Sequence, residues 1–295
     1  MMHPSLTVYK DNAEEFINFD FEIQTLSSEC EFTEGPVWNT GGYYLFSDIT
    51  ANCIYKINES GKREVFLKES GTSNSSDPDL NSTQAGSNGL AYDSQGNLII
   101  CRHGSHSIAK YEGKKMITLA ESYNGRKLNS PNDLIVHSDK RIFFSDPPYG
   151  LRDGKLNQAR YQEVGGVYAL KNNEITRFCE KYQYPNGVCL SPDEKTLFIC
   201  SNKPFEKFVS TYDTGTMKYT GVFAEENGDG IETDPWGNIY LCNKDGLLLL
   251  NNKGQRMALL SLPDIPANCC WGGERRKDLF ICARKYVLLI RDLIK

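Results

Sequence analysis

Apolar and polar positions along this chain follow a cycle that returns six times. A polar residue opens each cycle, and 13 or 14 residues later a Ser or Cys closes an apolar run: Glu34 to Ser47, Asn88 to Cys101, Asn132 to Ser145, Asn186 to Cys200, Asp229 to Cys242 and Asn268 to Cys282. Between opener and closer lie a short apolar stretch, a polar turn such as DSQGN (93–97), SPDEK (191–195) or DPWGN (234–238), and a second apolar stretch such as GNLIIC, KRIFFS or KDLFIC. Apolar runs of about 4–6 residues, rich in Ile, Leu, Val, Phe and Tyr and broken by turn residues, predict strands rather than helices. A third run follows each hairpin (CIYKI, SIAKY, GVYAL, VSTYD, GLLLL, YVLLI), and a fourth follows in most cycles (EVFLK, MITLA, EITRF, GVFAE, MALLS).

Successive openers are 54, 44, 54, 43 and 39 residues apart, periods that belong to repeat architectures. Four strands repeated radially predict an all-β fold, a six-bladed β-propeller with four antiparallel strands per blade. The last cycle ends with the chain, after YVLLIRDLIK. Its outer strand is therefore expected from the N-terminal segment FEIQTL (21–26), closing the ring with strands from both ends. The expected organisation is an N-terminal extension over 1–20 and a single propeller domain over 21–295. The Ser/Asn-rich stretch 69–87 reads as a long surface loop. It contains an EF-hand-like start, Asp77-x-Asp79-x-Asn81, but Ser82 stands where that loop needs Gly and Asn88 where it needs Glu, so no calcium is expected there.

The fold predicts where the openers meet. The first strand of each propeller blade lines the central channel, so all six openers are expected around one mouth of it. Two are carboxylates, Glu34 and Asp229, and four are Asn. Such a ring offers hard oxygen donors and no thiolate, which suits Ca²⁺, Mg²⁺ or Mn²⁺ better than structural Zn²⁺. A turn-forming role competes at Asn88-Gly89, Asn186-Gly187 and Asp229-Gly230. Glu34, a poor turn residue, and Asn132, followed by Asp133 rather than Gly, fit that role less well.

Charge and composition narrow the classes. With 33 basic and 38 acidic residues the net charge is −5 and no basic stripe occurs, which argues against nucleic acid as a partner. No apolar run approaches the ~20 residues that span a bilayer. The N-terminus, MMHPSLTVYKDNAEEF, lacks a basic stretch followed by an apolar one, so a cytoplasmic location without membrane association is expected. Four of the ten cysteines (Cys101, Cys200, Cys242, Cys282) occupy the closing position of different cycles and read as small buried hydrophobes. No G-x-S-x-G elbow and no HExxH occurs, and only four histidines are present: His3, His103, His106 and His137.

The motifs FTEGPVW (32–38), YLFSDI (44–49), GSNGL (86–90), CRHG (101–104), LNSPNDL (128–134), FSDPPYG (144–150), YPNGVCLSPDEKTLF (184–198), GDGIETDPWGNIY (228–240) and ANCCWGG (267–273) stand in an order that resembles the SMP-30/gluconolactonase/luciferin-regenerating-enzyme-like family, most of all its bacterial gluconolactonase-type branch. The resemblance implies one catalytic divalent metal in the channel mouth, with Glu34, Asn132, Asn186 and Asp229 as its ligands, although some members leave the position of Asn132 to the substrate. Ca²⁺ is the favoured ion, with Mg²⁺, Mn²⁺ and Zn²⁺ as alternatives. It implies Asp229 as the general base or nucleophile, and His103 and Tyr149 beside the substrate, with Asn88 and Asn132 as further substrate contacts. One departure stands out: the animal branch has a substrate-binding Arg where this chain has Ser130. His103, Arg102 or Arg126 are the expected replacements.

The function so implied is metal-dependent hydrolysis of a sugar lactone, D-glucono-1,5-lactone fitting best, by a monomer or dimer. Two rival readings share the fold: phosphotriester hydrolysis at the same metal site, and a non-catalytic propeller that binds a partner on one face.

Overall fold

The structure, a computed structural model, describes residues 5–73, 79–152 and 160–295. Asp77 of the EF-hand-like stretch lies outside them. Six sheets, each of four antiparallel strands in a meander, form the blades of a propeller. The first strand of each blade is Thr33–Asn39, Ser87–Tyr92, Leu134–Val136, Val188–Leu190, Ile231–Thr233 and Asn268–Gly272 in turn. The outer strand of the sixth blade is Ile23–Ser27, paired with Tyr286–Ile290, so strands from the two ends of the chain close the ring as expected. The N-terminal segment contributes more than that one strand: Leu6–Val8 adds a fifth strand to blade 5. Ala13, Ile17 and Phe21 are buried against blades 5 and 6. Among the described residues no helix is long and apolar enough to cross a membrane.

The 13- or 14-residue spacing has a simple origin. Opener and closer are cross-strand partners of one hairpin. Glu34 faces Ser47 and Asn268 faces Cys282 in register, and the amides of Asn132, Asn186 and Asp229 donate to the carbonyls of Ser145, Cys200 and Cys242. At three of the six closers the Ser or Cys serves the neighbouring blade, whereas Ser145 Oγ accepts from the Asp133 amide of its own hairpin. Ser47 Oγ donates to the carbonyl of Asn88 at 2.7 Å, Cys200 Sγ to that of Asp229 at 3.1 Å, and Cys282 Sγ to that of Glu34 at 3.8 Å. A small X–H donor in a buried strand gives a seam carbonyl a partner, or a second one in the case of Asp229, whose carbonyl also accepts from the Gly187 amide. All ten cysteines are free and nine are buried.

The glycines after the openers do not serve as turn formers. They lie where adjacent first strands converge on the channel. A Cβ at Gly89 would come within 2.8 Å of the carbonyl oxygen of Asn132, and one at Gly187 within 2.5 Å of that of Asp229. The Gly89 and Gly187 amides donate to those same carbonyls at 2.7 and 2.9 Å, stitching blade 2 to 3 and blade 4 to 5. Gly187→Ala is accordingly expected to cost roughly 1–3 kcal/mol through overpacking. A thermal melt should then show a Tm lower by about 5 °C, whereas an unchanged Tm would mean that the seam has slack.

Most of the core lies between blades. Tyr44 stacks on Phe280 across the seam that joins the last blade to the first, centroids 4.3 Å apart, and Phe46 packs on Phe280 at a tilt. Carboxylates just past second strands tie down the loops leading to the openers. Asp48 accepts from the amides of Glu31 and Phe32, and Asp146 from those of Asn129 and Ser130. Glu206 does the same for Gln183 and Tyr184. These bonds hold the channel mouth in a fixed shape.

Candidate active site

At one mouth of the channel lies a cavity of about 390 Å³, within the size range of small-molecule sites. Five of the six openers line it: Glu34, Asn88, Asn132, Asn186 and Asp229, together with Tyr149. The sixth, Asn268, does not. It points further down the channel, where its amide donates to Glu34 and Asp133, and it lines a second cavity among residues further along the first strands. The expectation of six openers around one mouth is corrected to five, because the closed seam between blades 6 and 1 brings Asn268 beneath Glu34.

Glu34 is buried and Asp229 half-buried, and the two carboxyls share one cavity. Burial holds the Glu34 carboxyl well above the usual carboxylate range, and the charges of Asp229 and Asp133 push it further. Burial also raises Asp229, against which Asn202, Arg284, Asn186 and Lys203 all act. Asn186 Nδ2 donates to Asp229 Oδ1 at 2.5 Å. On the other side stands Asn202, whose Oδ1 accepts from the Tyr149 hydroxyl at 3.0 Å, so its amide nitrogen is free to donate to Asp229. Burial keeps the Tyr149 phenol protonated far beyond its ordinary range, which suits it to that donor role.

His103 does not line the cavity; it stands directly behind Asn88. It is fully buried, and burial pulls its imidazole down to about 4, so the ring is neutral at ordinary pH. Its Nδ1–H donates to the carbonyl of Gln84 at 3.1 Å, which leaves Nε2 as an acceptor for Asn88 Nδ2 at 3.4 Å. The amide of Asn88 is thereby oriented: nitrogen toward His103, and Oδ1 buried and without a partner. A buried amide oxygen left unpaired calls for a donor or a cation from outside the chain. His103→Phe removes the acceptor and frees the amide to turn. The expected result is a loss of about tenfold in kcat/KM, the worth of one such hydrogen bond. With a ring already neutral, no inflection near pH 6.5 should belong to His103 in the native enzyme. Wild-type kcat/KM in the variant would reduce the ring to packing.

The expected cationic replacements for the missing arginine are not found in the cavity. Arg102 donates to the carbonyl of Ser70, and Arg126 pairs with Glu163 at the surface. The cations that do line the cavity are Lys203 and Arg284. A repeat signal was available for part of this wall. Ile49, Asn202 and Arg284 line the cavity and lie two residues past their closers, the same place that His103 holds after Cys101.

Among the described residues no group of three or more His, Cys, Asp or Glu side chains is placed to hold a metal by itself. The donor set at the mouth is instead the carboxylates of Glu34 and Asp229, amides of Asn132 and Asn186, and the unpaired Oδ1 of Asn88. That all-oxygen chemistry fits a hard divalent cation, which would also relieve the repulsion between Glu34 and Asp229.

A family model described as the SMP-30/Gluconolactonase/LRE-like region matches residues 32–285. The chain belongs to this family. Among its relatives is a gluconolactonase of Zymomonas mobilis, 27% identical over 306 residues, an alignment spanning 97% of this chain and 85% of that one. The fold matches a gluconolactonase of Xanthomonas campestris with a TM-score of 0.83 at 24% identity, covering 99% of this chain and 95% of that one. It also matches a calcium-binding protein, regucalcin, from Agrobacterium tumefaciens, with a TM-score of 0.73 at 17% identity, covering 93% and 95%. The chemistry of the present site rests on its own side chains.

Proposed function

We propose that this protein is a metal-dependent lactonase that opens a sugar lactone in the cavity at the channel mouth, with D-glucono-1,5-lactone as the reference substrate. The observation that carries the reading is the pair of carboxylates, buried Glu34 and half-buried Asp229, contributed by blades 1 and 5 to one amide-lined cavity. A protein that only docks a partner on one face has no use for two carboxylates set together in one amide-lined cavity. The family membership and the gluconolactonase relative support the substrate class.

Glu34, Asn132, Asn186 and Asp229 would hold a divalent cation, Ca²⁺ first, and when bound it supplies Lewis-acid polarisation of the ester carbonyl and a more acidic water. The remaining steps belong to the chain. Asn88 Oδ1 and Tyr149 orient substrate hydroxyls, the former because it has no partner within the protein. Asp229 accepts the proton of the attacking water on the carboxylate oxygen not engaged by Asn186. It then returns that proton to the ring oxygen as the ester bond breaks, so water adds across the ester and the open hydroxy acid leaves. Asn186 and Asn202 keep the carboxylate aimed and ionised between turnovers. Hydrolysis of the lactone followed with a pH indicator tests the reading. Acid release above the uncatalysed rate supports it, and none with any added cation overturns it.

A further inference from the structure

The cations of the cavity carry an inference about the substrate. Lys203 and Arg284 reach the cavity from different blades, and each is fixed at its backbone. Arg284 follows the second strand of blade 6, and its backbone bridges to Thr33 at the ring-closing seam, with the Thr33 amide donating to the Arg284 carbonyl at 2.8 Å. The Lys203 amide donates to Ser201 Oγ at 3.2 Å, and Ser201 in turn donates to the buried Glu206. Among the described residues neither side chain is in an ion pair. Each lies on aromatic rings instead. The Lys203 ammonium sits 5.0 Å from the Tyr149 centroid and 4.7 Å from that of Tyr184, and the Arg284 guanidinium 4.6 Å from that of Phe32. Cation–π contact holds a charge in place without neutralising it.

The charges lining the cavity then sum simply. With both carboxyls ionised, as cation binding requires, Glu34 and Asp229 contribute two negative charges, and Lys203 and Arg284 two positive ones. A divalent cation taken up by the carboxylates leaves a surplus of two positive charges facing the substrate. A neutral polyol lactone needs hydrogen-bond donors and acceptors and gains nothing from that surplus. An anion gains directly, because a cleft lined with one sign of charge in a low-dielectric wall concentrates the opposite sign.

We infer that the preferred substrate is a sugar lactone carrying an anionic group away from the ring ester, with Lys203 and Arg284 receiving that group. This rests on the lactonase reading and sharpens it. A free carboxylate, as in the lactone of an aldaric acid, and a phosphate ester are two sources of the same chemistry. Arginine favours bidentate contact with either, and lysine acts as a point charge.

The test compares kcat/KM for D-glucono-1,5-lactone, D-glucaro-1,4-lactone and 6-phospho-D-glucono-1,5-lactone with the calcium-loaded protein. At least one anionic lactone is expected to exceed the neutral one by tenfold or more. That ratio should fall at least tenfold in Lys203→Met or Arg284→Met, and the anionic rate alone should drop as NaCl is raised. Calorimetry supplies a readout independent of turnover: the loaded wild-type protein should bind glucarate or 6-phosphogluconate at least tenfold more tightly than gluconate. Equal or better hydrolysis of the neutral lactone, with equal binding of the product anions, overturns the inference and leaves the lactonase reading standing. Failure to hydrolyse any of the three overturns both.

Discussion

Asp229→Asn is expected to lower kcat for lactone hydrolysis by about three orders of magnitude, within the range that general-base catalysis contributes. The change is nearly isosteric. Asn186, which donates to one oxygen of this carboxylate, can donate equally to the amide oxygen of the variant, so the fold and cavity should survive. What disappears is the proton acceptor and one of the two carboxylates of the cavity. Glu34→Gln provides the contrast. It removes the other charge but leaves the base, so millimolar cation should restore much of its activity while Asp229→Asn stays slow at every concentration. Steady-state kinetics with a pH indicator, alongside circular dichroism to confirm folding, would check both. If Asp229→Asn turned over within tenfold of the wild type, the base would have to be sought elsewhere.

Chelation carries the second large effect. EDTA followed by gel filtration should reduce activity at least a hundredfold, and single additions of Ca²⁺, Mg²⁺ or Mn²⁺ should restore it to different degrees. The same treatment should lower the Tm by about 5 °C, because an ion bound at a hundred times its Kd contributes about 2.7 kcal/mol to the native state. The physical source is the carboxylate pair: buried Glu34 is held well above its ordinary range by burial and by the charge of Asp229, a repulsion that a cation reverses. Full activity and an unchanged Tm after exhaustive chelation would remove the cation from the mechanism.

Particular residues mark how far the sequence could be read. Glu34 and Asp229 are 195 positions apart, yet their common phase in the hairpin repeat placed both at the channel mouth. The outer strand of blade 6 was legible because the last cycle lacked one and a suitable run lay near the N-terminus; the strand proved to be Ile23–Ser27. The fifth strand of blade 5, Leu6–Val8, carried no repeat signal, since it lies outside the cycles. The glycines after the openers were visible, but their reason was not. Turn formation and close approach select the same residue, and only the 2.5–2.8 Å clearances at Gly89 and Gly187 distinguish them.

The sequence by itself determined the six hairpins, their register and the set of side chains that can enter the channel mouth. Apolar alternation and opener–closer spacing are local, and each repeat states them again. The tertiary structure alone decided which of those side chains act together. It turned Asn268 below the site, set Arg102 and Arg126 aside, and brought Lys203 and Arg284 in from separate blades. It also fixed the Asn88 amide through the chain from the Gln84 carbonyl to His103. Those outcomes depend on side-chain direction and on contacts between blades that the ring closes in space, and neither quantity is written in a spacing along the chain.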